Sequence, residues 1–136
     1  MLDVIKPGYQ KAPVVIYDPR ESFPFAAESF DASLLMTVLH HVPDPAAILR
    51  EAKRVTRKTL IVVEDLYHHA LGRWWTVLRD QIYNFEFFGH PCQFRKKEKW
   101  LELFRECGFV PVKEERVYTW MAGMRILNGV FILEVS

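Results

Sequence analysis

Along the chain, short runs of consecutive apolar residues alternate with longer stretches in which apolar positions recur every three to four residues. Consecutive runs suit strands covered on both faces, and the longer spacing suits helices with one buried face. Residues 13–17 (Pro-Val-Val-Ile-Tyr) predict a buried strand stopped by Asp18-Pro19. Residues 30–36 predict a second strand. Residues 59–63 (Thr-Leu-Ile-Val-Val) predict a third, closed by Glu64-Asp65. Residues 110–118 and 126–135 predict two more, separated by Met121-Ala122-Gly123-Met124, so antiparallel pairing between them is expected.

Three helices are expected between these strands. Asp44 can accept the free N–H groups of a first turn, and Pro45 fits the first helical position, where no N–H is needed. Ile48, Ala52 and Val55, with Leu49 beside them, then form the buried stripe, and Arg50, Glu51, Lys53 and Arg54 are expected to face water. A second helix is expected over residues 71–85, with Trp74, Leu78 and Ile82 on its apolar face. A third spans residues 95–107, with Trp100, Leu103, Phe104 and Cys107 on one side and Gly108 as the positive-φ stop. The alternation of strands and helices predicts an α/β fold, mostly parallel, with an antiparallel C-terminal strand pair.

Length and composition narrow the class. The 136 residues suit one domain, residues 1–136, and a hydrophobic fraction of 50% can build a core. With 18 Lys plus Arg against 17 Asp plus Glu, the net charge is +1, which gives no electrostatic case for nucleic acid or an anionic membrane. Two cysteines, no apolar leader pattern and no long apolar span make the cytosol the expected compartment. His68, His69, His90 and Cys92 lack metal-site spacing, so no metal is expected.

Several spaced pieces carry a resemblance: Asp18 to Phe25, Ser29-Phe30-Asp31, Val38-Leu39-His40-His41-Val42-Pro43-Asp44-Pro45, and Leu49 to Val55. Together they resemble the class I S-adenosylmethionine-dependent methyltransferases of the ubiquinone/menaquinone-methylase-like (type 11) group. Residues 60–64, 99–104, Gly108-Phe109 and the terminal strand pair are similar too. The resemblance implies a Rossmann-like sheet in the order 3-2-1-4-5-7-6, with the cofactor at the carboxyl ends of the central strands. Such ends are the general ligand site of open α/β sheets. The family's glycine-rich loop after the first strand has no counterpart among the six glycines, none of which lie close enough together. The chain therefore matches the C-terminal part of the domain, an incomplete sheet whose strand over residues 30–36 would keep a bare edge. A homodimer or a complementing N-terminal segment would cover it.

By this resemblance, the candidate cofactor contacts are Asp3 (ribose), Asp18 (adenine side), Met36 and Thr37, and S-adenosylmethionine is the implied cofactor. His40 and His41 follow the fourth strand of the implied order, at the rim where the methyl group would sit; either is a candidate base, and a packing role in the loop is the alternative. Asp80 and Asn84 share a helix face, and Trp74, Trp75, Tyr83, Phe85, Phe87 and Phe88 form an aromatic group suited to an acceptor pocket or to the core. Two functions remain open. One is methyl transfer to a small-molecule acceptor. The other is a non-catalytic, methyltransferase-like interaction module without the cofactor.

Overall fold

The computed structural model describes residues 22–67, 74, 77–78, 94–121 and 124–135. The predicted strand over residues 13–17 lies outside them. Strand β1 is Phe30–Met36, as the sequence predicts, and helix α1 is Pro45–Val55, with the Asp44 carboxylate accepting from Ala47 N at 3.0 Å. Pro45 occupies the first turn, so the local signals act as expected. Strand β2, Thr56–Asp65, begins three residues earlier than predicted and follows α1 without a loop. Thr56 caps the helix through its N–H to the Ala52 and Lys53 carbonyls, and also pairs with Phe30; the Ser33 and Thr56 hydroxyls lie 2.6 Å apart.

Helix α2 is Lys97–Glu106, shorter at its start than predicted because Arg95 pairs with Leu66 in an isolated bridge. Gly108 ends it at φ 80°, a backbone state that costs glycine little. Strands β3 (Phe109–Met121) and β4 (Met124–Val135) form the expected antiparallel pair. Trp74, Val77 and Leu78 are helical, in line with the predicted helix over residues 71–85, whose other positions are not described. Trp74 does not sit in a core face there: it is 64% exposed.

The sheet order is β1-β2-β4-β3, with β1 parallel to β2 and β4 antiparallel to both neighbours. These positions agree with the 4-5-7-6 half of the implied order. Leu60 and Val62 of β2 register with Leu133 and Phe131 of β4 and pack on one face with Ile48, Leu49 and Ala52 of α1 and Trp100, Leu103 and Phe104 of α2. Alternation sends Leu34 and Met36 of β1 to the opposite face, where they are 55% and 56% exposed. β1 ends the sheet among the described residues.

The polar side of α1 corrects one expectation. Only Arg50 points fully to water; Glu51, Lys53 and Arg54 are half-buried. Glu51 Oε2 accepts from Phe23 N at 2.9 Å, while Arg54 donates to Glu51 and to the carbonyls of Phe23 and Phe25. Lys53 Nζ donates to the Gly108 carbonyl at 2.7 Å, tying α1 to the turn after α2. These long side chains reach along the helix surface to satisfy backbone groups that no periodicity reveals.

Candidate functional site at the carboxyl ends of the first two strands

β1 and β2 run in the same direction, so their carboxyl ends share one rim. The segment leaving β1 is held there by a single carboxylate. Glu64, near the end of β2, is completely buried. Its Oε1 accepts from Val38 N at 3.0 Å and Leu39 N at 2.7 Å, and its Oε2 lies 2.5 Å from His40 Nδ1. A carboxylate only accepts, so the hydrogen of this contact sits on Nδ1. Hydrogen bonds to a charged group are stronger than neutral ones, which suits a group that fixes a loop.

Thr37 stands at the start of this loop with φ 52°, outside the range that β-branched residues ordinarily adopt. Its N–H donates to the Val63 carbonyl at 2.8 Å, and its hydroxyl to the Met36 carbonyl at 2.8 Å. Such a conformation costs roughly 1–3 kcal/mol and persists where the surroundings over-determine it. Here four donors on residues 37–40 are anchored to β2. The next residues form a 3-10 turn over Leu39–His41, with His41 N bonded to the Val38 carbonyl.

The two histidines differ in environment. The buried ring of His40 touches that of His41, at 4.0 Å between ring centroids, and stacks on that of Phe94, at 4.5 Å and 25°. His41 is half-buried. Met36 and Thr37 are exposed at the rim. The structure thus brings together four of the six candidate site residues, Met36, Thr37, His40 and His41; Asp3 and Asp18 lie outside the described residues, as do Asp80, Asn84, His68, His69, His90 and Cys92. Sequence reasoning missed the role of Glu64 and the contribution of Phe94. The available signal was an acid at the end of a strand otherwise apolar on both faces, where an unpaired charge would be costly. Among the described residues, no group of three or more His, Cys, Asp or Glu side chains is placed to hold a metal, and no helix is long and apolar enough to cross a membrane.

This mixed sheet with its helices matches part of the fold of solved SAM-dependent methyltransferases. Residues 1–63 match the family described as methyltransferase domain. Among solved structures, a protein of Bacillus halodurans assigned as a methyltransferase is 19% identical with a TM-score of 0.63, over 93% of this chain and 71% of that one. A SAM-dependent methyltransferase from Methanosarcina mazei is 20% identical with a TM-score of 0.63, over 83% of this chain and 62% of that one. A third, from Thermotoga maritima, is 22% identical with a TM-score of 0.64, over 85% of this chain and 60% of that one. The chain therefore spans 60 to 71% of the length of these structures. No curated protein sequence matches it significantly. The resemblance read from the rim and helix residues holds in both the sequence match and the fold.

Proposed function

We propose that this chain supplies part of the catalytic domain of a cytosolic enzyme transferring a methyl group from S-adenosylmethionine to a small-molecule acceptor. The observation that carries the reading is the buried Glu64 carboxylate, which spends all its described bonds on fixing residues 38–40 at the ligand-binding rim of the sheet. The exposed Met36 side chain and the Thr37 hydroxyl offer this rim an apolar and a polar contact, which fits a cofactor with an apolar thioether chain and polar ends. Asp3 and Asp18 complete the proposed contacts by resemblance.

The cofactor, when bound, supplies an electrophilic methyl group, so the chain's own task is alignment and proton handling. Glu64 and His40 hold the loop in one geometry. His41, half-buried against the His40 ring, is the proposed proton acceptor when the acceptor atom carries a proton. The outer edge of β1, unpaired among the described residues, supports continuation of the sheet by a further strand, from a second copy of this chain or a separate segment.

The test is formation of S-adenosylhomocysteine from labelled S-adenosylmethionine across a panel of small-molecule acceptors. The reading predicts turnover with at least one acceptor that falls when His41 is changed to Gln while cofactor affinity is kept. Cofactor binding without turnover on any acceptor, or turnover indifferent to His41, would count against these roles.

A further inference from the structure

A second feature lies beside this rim. Leu66 and Tyr67, which leave the end of β2, the first turn of α2 at Lys96, Lys97 and Glu98, and Arg116 of β3 line a cleft of about 190 Å³. Pockets for whole drug-sized ligands run to roughly 300–1,000 Å³, so this space suits one functional group of a larger molecule. Its charge is uneven. Three of its six lining residues are cationic and one is acidic. Lys97 is already neutralised by Glu114 at 2.6 Å, whereas Lys96 and Arg116 have no ion pair or hydrogen bond with a side chain among the described residues.

Two backbone features strengthen the bias. Lys96, the residue capping α2, makes no side-chain cap bond, and its carbonyl accepts from Lys99 N and Trp100 N, so the amides of Lys97 and Glu98 are the ones left without a partner beside the cations. A helix start favours negative charge, here in addition to the side-chain cations and not in place of them. Arg116 stands opposite Gly129 in the β3–β4 ladder. A Cβ on Gly129 would come within 2.8 Å of Leu66 Cδ1, so glycine there lets the end of β2 pack close and form one wall.

The cleft adjoins the loop held by Glu64. Lys96 follows Phe94, the residue stacked on His40, by two positions, a reach of at most about 7 Å. Tyr67 follows Glu64 by three. We propose that this cleft binds the anionic group, a carboxylate or a phosphate, of the methyl acceptor, placing the rest of the acceptor at the rim beside His41. The acceptor class is then a small organic acid or phosphate ester. The assignment of the bound molecule as acceptor rests on the methyltransferase reading; the anion site itself does not.

The experiment is an amide NMR titration of the full chain with inorganic phosphate and, separately, with benzoate, against sodium chloride at matched ionic strength. The proposal predicts saturable shifts at the amides of Lys97 and Glu98 that chloride does not produce; phosphate alone or benzoate alone identifies the group. Arg116→Glu and, on a different element, Lys96→Glu should each weaken this binding about tenfold. Both side chains are exposed, so the fold has no need of them. Shifts no larger than those with chloride, or unchanged in both variants, would overturn the site. A parallel titration with S-adenosylmethionine separates the two readings: anion binding without cofactor binding would overturn the acceptor role and leave the anion site standing.

Discussion

Replacing Glu64 by Gln keeps the shape of the side chain and removes its charge. In the native chain both carboxylate oxygens act as acceptors, Oε1 for two backbone N–H groups and Oε2 for His40 Nδ1. A glutamine has one oxygen and one NH2. Either orientation therefore sets a donor against a donor, unless the His40 ring changes tautomer. Hydrogen bonds to a charged group are worth roughly 1.5–3 kcal/mol and neutral ones roughly 0.5–1.5 kcal/mol, so losing the charge on three bonds should cost about 3–4 kcal/mol. Glu64→Ala goes further, leaving three donors unpaired, the two on Leu39 and His40 buried at roughly 1–3 kcal/mol each, which is a large part of a typical total stability of about 5–15 kcal/mol. Urea unfolding is the assay, with a lower midpoint at unchanged slope expected for Gln. A double-mutant cycle with His40→Gln should show coupling of about 1 kcal/mol or more, since the two residues touch. A Gln variant within about 0.5 kcal/mol of the parent would refute the claim that this carboxylate fixes the rim loop.

Other expectations follow from single contacts. Thr37→Gly relieves a positive φ that threonine resists, so it should stabilise the chain by up to roughly 1 kcal/mol in thermal unfolding while weakening S-adenosylhomocysteine binding. Lys53→Met removes the bond to the Gly108 carbonyl and should cost about 1 kcal/mol by urea titration. Burial pushes the Cys107 thiol above its ordinary range, so less reactive thiolate is present at a given pH; alkylation should be slower than for a small thiol at pH 8 and catch up only in more alkaline buffer or in urea. Arg54 beside Glu51 holds that carboxyl below its ordinary range, so the pair stabilises the fold above that range and loses its effect as pH falls; the urea midpoints of Glu51→Gln and the parent should converge in acid.

Much of the fold was legible because its signals are local. Asp44-Pro45 starts α1, Gly108 ends α2, and the runs at residues 30–36 and 126–135 are strands because their apolar residues leave few other solutions. The polar face of α1 misled because periodicity separates buried from exposed but does not say which long side chains reach back to a backbone carbonyl, as Lys53 and Arg54 do. At the site, Met36 as the last residue of β1, and Thr37 and the His40-His41 pair after it, could be placed by their position at the strand end. Glu64 could not be paired with His40, because their contact spans 24 residues and depends on the β1–β2 register. The same holds for the cleft, whose cations come from α2 and β3 and share no sequence motif.

The most direct test of the central claim is calorimetric titration of the chain with S-adenosylmethionine and S-adenosylhomocysteine. Saturable heat in the micromolar range, weakened by Glu64→Gln, is what this account predicts. No heat at millimolar ligand would contradict cofactor binding at this rim and leave the chain with the fold of a methyltransferase but not its chemistry.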